Sequence, residues 1–161
     1  MHLFTEVCTT TLGHPEGVKA WATDHHLASI QDPQAVAVYG GEGGSVWSVR
    51  LPSGVFALAL RGATQTCAVF GDKLDSDLVE KSVQQLVDQM KTAGIPASVL
   101  KEDTAQSDFG RRHGVAYALG NTVSKLLILN FITNERPGGA YQATVQIGAL
   151  RNVPPPQPKG Q

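Results

Sequence analysis

The chain has 161 residues, 42% of them apolar and 17% charged, and its 13 basic and 14 acidic residues leave a net charge of −1. That length predicts one domain with an apolar core of its own. The even charge balance excludes a cationic stripe for gripping nucleic acid, and no apolar run approaches the length of a membrane span.

In chain order, Leu3, Phe4, Val7, Cys8, Thr11 and Leu12 recur at helical spacing, and Gly13 ends that helix. Pro15 opens a second helix with Val18, Trp21 and Ala22 as its apolar stripe, closed by Asp24-His25-His26. Residues 34–39 follow Asp32-Pro33 and are of undecided type; Gly40 to Gly44 form a flexible loop with Glu42 in it. Strands are expected over 46–51, 55–60 and 66–70. In the second of these, Val55, Ala57 and Ala59 form a small face and Phe56, Leu58 and Leu60 a large one.

The clearest helix is 74–93. Asp75, Ser76 and Asp77 supply its cap, and Leu78, Val79, Val83, Leu86, Val87 and Met90 its stripe. Gly94 and Pro96 stop it. A strand at 97–100, a polar connection at 102–111 and a strand at 114–119 come next. Gly120-Asn121 then turns into the apolar strand 126–132, which is expected to lie centrally with little face left to water. The segment 134–139 is a tight turn. Tyr141, Ala143, Val145 and Ile147 then alternate with Gln142, Thr144 and Gln146. Residues 151–161 are a proline-rich, extended tail. The fold expected is α+β: residues 1–150 form one domain, a mostly antiparallel sheet of about six to seven strands packed by an N-terminal helical segment and the long helix.

Catalytic patterns are absent from the sequence. There is no Gly-x-Ser-x-Gly elbow, and the glycine loop leads into a strand with no Lys-Ser or Lys-Thr after it. His25 and His26 diverge by about 100° on a helix and have no His-x-x-x-His companion, so neither metal nor cofactor is expected. Cys8 and His14 lack a third group that would make them a nucleophile and base. Glu102 and Asp103 read as solvated, and Arg111-Arg112-His113 as a small cationic strand entry.

Cys8 and Cys67 are the two cysteines, and they are far apart. They fit one disulfide in an oxidising compartment or two buried thiols. The segments LFTEVC, GVKAWA, FALALRG with CAVFG, and ERPGGAYQATV resemble a family of small exported proteobacterial proteins, over most of 3–145. The resemblance implies that Cys8 and Cys67 recur as a pair and that the chain is periplasmic or envelope-associated; it brings no catalytic residues. A leader is missing from this numbering, in departure from that pattern. The expectation is therefore a non-enzymatic periplasmic protein that binds a protein partner. An immunity protein occluding a secreted antibacterial effector, of the type VI kind, is the leading form. The alternative is a small-ligand or lipid carrier with a pocket between the sheet and the helix 74–93. Tyr39, Glu42, Glu135 and Arg136 are the expected partner contacts.

Overall fold

Alternation along the strands from Ser45 onward gives a sheet with two unlike faces. In the computed structural model, which describes residues 1–120 and 126–149, the strands are β1 (Ala28–Ser29), β2 (Ser45–Leu51), β3 (Gly54–Arg61), β4 (Thr66–Gly71), β5 (Ala97–Ser107), β6 (Gly110–Leu119), β7 (Leu127–Asn134) and β8 (Ala143–Ala149). They form one sheet of 8 strands in the order β1-β2-β3-β4-β8-β7-β6-β5, and every neighbouring pair is antiparallel. The helices are α1 (His2–Phe4), running into a π-helical turn (Thr5–Thr9), then α2 (Pro15–Asp24), α3 (Pro33–Tyr39) and α4 (Ser76–Thr92). The α+β class and the antiparallel sheet are as expected. The strand beyond the expected number is β1, whose two residues are too short for any periodicity to show.

One face of the sheet is covered. Leu58, Cys67, Val69, Ile147, Leu129, Phe131 and Tyr117 meet Leu3, Phe4, Val7 and Val18 from the N-terminal helices and Val83 and Val87 from α4. A fully buried leucine such as Leu58 contributes about 2 kcal/mol by leaving water. Helix α4 starts where its cap predicts, with the Asp75 carboxylate accepting from the Leu78 N–H at 3.0 Å. Its stripe is narrower than the sequence implies. Leu78 is 61% exposed, while Val83 and Val87 are buried.

The disulfide exists. Cys8 on the π-helical turn and Cys67 on β4 are bonded, with Cα atoms 5.4 Å apart across a separation of 59 residues. It ties the helical N-terminus to the middle of the sheet. Closing a loop of that length contributes about 4 kcal/mol in the chain-entropy account.

Three expected local structures are corrected. The polar connection 102–111 is strand: β5 runs to Ser107 and pairs with β6 as far as Gly110. Ser107 Oγ accepts from the Phe109 N–H and donates to the Gly110 carbonyl, and Gly110 takes the positive φ of 84° that the turn needs. As an edge strand exposed on both faces, β5 carries no apolar alternation that a sequence reading would detect. The tight turn at 134–139 is the longer connection 135–142, and β8 begins only at Ala143. Strand β7 is central but not covered on both sides: Leu129, Phe131 and Thr133 are buried, whereas Ile128, Asn130 and Ile132 are half-buried. The Gly120-Asn121 turn and the tail 151–161 lie partly or wholly outside the described residues.

Candidate functional site

The second face of the sheet is covered only in part. Small residues on β3 and β4, Ala59 and Ala68, let α3 settle there through Val36 and Tyr39, with Ile30 and Phe70 beside them. Beyond β4, no described helix lies over β8, β7, β6 and β5 on this face, which we call the open face. Register fixes what stands on it. One row runs Lys101, Ala116, Asn130, Gln146, Ala68. The next runs Asp103, Gly114, Ile132, Thr144, Phe70.

These rows hold three buried polar atoms with no hydrogen-bond partner: Asn130 Oδ1, Gln146 Oε1 and Thr144 Oγ1. They are the whole set of such side-chain atoms among the described residues. Each unpaired buried group costs about 1–3 kcal/mol. Asn130 and Gln146 face each other directly across β7 and β8, and Thr144, 4% exposed, lies one pleat along. Beside them a hollow of about 170 Å³ is bounded by Lys101, Arg112, Gly114, Asn130 and Ile132. Glycine at 114 and alanine at 116 keep its floor low. The Lys101 and Arg112 side chains are exposed and make no ion pair or hydrogen bond among the described residues, and Asp103 also lines the hollow.

At the other end of the rows the wall is aromatic. Tyr39 and Tyr141 each meet Phe70 edge-on, at ring separations of 5.1 and 4.9 Å. A hollow of about 270 Å³ lies here, bounded by Ile30, Val55, Ala57, Phe70 and Tyr141, with Asp72 at its rim. Burial raises the Tyr39 hydroxyl above its ordinary pKa, helped by the Asp72 and Tyr141 charges.

The expected contact residues separate. Tyr39 is half-buried, and its hydroxyl donates to the Ala140 carbonyl at 2.6 Å. That bond brings it to the connection 135–142. Glu135 and Arg136, exposed at the start of that connection, are turned to the β5–β6 hairpin. The Glu135 carboxylate accepts from the Arg111 N–H, and Arg136 donates to the Phe109 and Asp108 carbonyls. Glu42 is exposed at the opposite end of the strands. Its carbonyl lies against Gly62, where a β-carbon would not fit, at the far end of β3 from Gly71 and Tyr141. Tyr39 therefore joins the open face; Glu42, Glu135 and Arg136 do not form one surface with it.

Two other places were weighed as sites. On the covered side, His113 stands between carboxylates, Nδ1 at 2.9 Å from Glu80 and Nε2 at 3.1 Å from Glu102. The Thr133 hydroxyl donates to Glu80 at 2.5 Å, and Arg111 lies 3.8 Å from both Glu80 and Asp77. A nucleophile needs its hydroxyl on the imidazole, but here it is on the carboxylate. The network ties α4 to β5, β6 and β7, which is a structural task; Glu102, its side chain 62% exposed, is solvated as expected and also meets His113. Between α1, α4 and the sheet is a cavity of about 120 Å³ lined mainly by apolar side chains, among them Phe4, Phe56, Val69, Val79 and Val145. It lies where a carrier's pocket was expected, but it is well below the roughly 300–1,000 Å³ of ligand sites. Among the described residues no group of His, Cys, Asp and Glu is placed to hold a metal ion, and no helix is long and apolar enough to cross a membrane. His25 instead stacks on Trp21 at 3.9 Å.

The polar row had signals in the sequence. Asn130 is the single polar residue within Leu126 to Ile132, and Thr144 and Gln146 share the outward parity of β8. Gln142 shares that parity but does another job. It is buried, and its Oε1 accepts from the Leu74 N–H at 2.7 Å just before α4. No family model, curated protein or solved structure matches this chain.

Proposed function

We propose that the chain is a non-enzymatic binding module of an oxidising compartment, the periplasm in the reading that its sequence resemblance implies. In this reading it works by occluding a protein partner, as an immunity protein neutralises a secreted antibacterial effector. The observation that carries this is the open half-face, with its three unpaired polar oxygens on adjacent strands. A fold that held these groups for stability alone would do better with apolar side chains there. A partner that supplies donors recovers that cost on binding. The staple between Cys8 and Cys67 supports the same reading, since it stiffens the sheet that presents the face and fits a compartment where disulfides persist.

A photo-crosslinking side chain at Ile132, on the open face, is compared with one at Lys19, exposed on α2. In the oxidising compartment of the source cells, the first is expected to give a stoichiometric adduct with one protein whose toxicity the chain relieves, and the second none. Equal adducts at both positions, or none at either, would overturn the reading. An adduct at 132 with a protein that is not toxic would keep the module and end the immunity role.

A further inference from the structure

We infer that the open face seats an extended peptide segment of the partner, crossing the strands, with an acidic side chain at its β5–β6 end and a large apolar side chain at its aromatic end. This rests on the reading of the chain as a protein-binding module and gives that partner a chemistry.

The length fits first. Adjacent strands lie about 4.8 Å apart, so the row from β5 to β4 spans about 19 Å, which is about six extended residues. The floor fits next. Gly114 and Ala116, in and beside the polar row, are small, so a backbone can approach closely at its β6 end. The atoms left unpaired are the oxygens of two side-chain amides and of a hydroxyl. An amide side chain presents a donor and an acceptor side by side, which is the complement of a peptide group. Asn130 and Gln146 stand directly opposed, so two such groups lie side by side.

The ends fit last. Lys101 and Arg112, without partners among the described residues, outnumber Asp103 and leave one positive charge at the β5–β6 end. The hollow by Tyr141 is larger and bounded by Ile30, Val55 and Phe70, and Asp72 at its rim repels an acid. The segment is thereby oriented. A glycan is the other ligand that amide side chains suit. It would stack a sugar on a flat aromatic ring, but Tyr39, Phe70 and Tyr141 are packed edge to face, and the Tyr39 hydroxyl is already committed to Ala140.

The test is an NMR titration of the full chain, read at the side-chain NH₂ groups of Asn130 and Gln146. The probe is a blocked hexapeptide with glutamate at one end, phenylalanine at the other, and serine and threonine between. It is run beside the same peptide with lysine for glutamate, and beside a chito-oligosaccharide. The acidic peptide is expected to move both NH₂ groups and to bind about tenfold more tightly than the lysine peptide, and Arg112→Glu to reverse that order. Unchanged backbone amides over β1 to β4 check that the variant is folded. Four results overturn the inference. They are silence of both NH₂ groups up to millimolar acidic peptide, equal response to the two peptides, response to the saccharide alone, and movement on deleting 151–161 without any peptide. Silent peptides with a crosslinked partner at Ile132 end the peptide chemistry and leave the module standing. Responding peptides with no crosslinked partner do the reverse.

Discussion

The two faces of the sheet are built from the same strands and the same alternation, yet they obey different rules. On the covered face, Leu58, Leu129 and Ile147 are fully buried against helices, and the polar groups drawn in are paired: Thr133 donates to Glu80, and Gln142 accepts from the Leu74 N–H. On the other face, beyond α3, Asn130, Thr144 and Gln146 keep oxygens out of water without a partner. The same chain thus satisfies buried polarity on the covered face and leaves it unsatisfied on the other. Local rule-breaking of this kind is expected where a surface is shaped for something other than stability.

The contrast can be broken at the staple first. Cys8→Ser/Cys67→Ser removes the covalent hold on the covered face and is expected to cost about 4 kcal/mol, or about 10 °C in Tm. Reductant lowers the Tm of the wild type towards that of the double variant and leaves the variant unchanged. A reductant shift in the variant, or none in the wild type, would contradict this. A paired substitution then compares the faces on one strand. Leu129→Ala empties a closed site and is expected to cost about 3 kcal/mol in urea unfolding. Ile132→Ala, half-exposed on the open face, costs about 1 kcal/mol or less. Equal costs would mean that both faces are covered alike.

A smaller effect sharpens the covered side. Tyr117 donates to Gln84 on α4 at 3.1 Å, and its pKa is raised by burial first and then by the Glu102, Asp88 and Glu80 charges. A raised folded value means that its contribution is fully present below the unfolded value of about 10 and is lost as pH rises through the folded value. Unfolding measured across the alkaline range should therefore show stability falling above pH about 10, and Tyr117→Phe should flatten that fall while losing the Gln84 bond. An unchanged alkaline slope in the variant would place the ionisation elsewhere.

The sequence made some of this legible because the signals were local. The Asp75 cap and the Val83 and Val87 positions locate α4, and β3 shows its small face, Ala57 and Ala59, though not which element covers it; that element is α3. It hid whatever depended on distant neighbours. β5 beyond Leu100 is polar because it is an edge strand, so it looks like loop. Tyr141 and Gln142 continue the alternation of β8 on paper. In the fold the chain bends there, and they are taken by Phe70 and by the Leu74 N–H. Among the expected contacts, Tyr39 reaches the open face because Ala140 accepts its hydroxyl, an interaction across 101 residues. Glu42 lies at the other end of β3, and nothing in its sequence neighbourhood shows that. Asn130 was visible as an odd residue in an apolar run, but its meaning required the register that sets it opposite Gln146.

The central claim, that the open face carries unpaired polar groups for a partner and at the expense of the fold, is tested most directly by one comparison. Asn130→Leu/Thr144→Val/Gln146→Leu replaces the three groups with apolar side chains, and its urea unfolding is measured beside the Ile132 crosslink. The account predicts a gain of about 1–3 kcal/mol in stability together with loss of the adduct. A variant that is less stable than the wild type and still forms the adduct would contradict it.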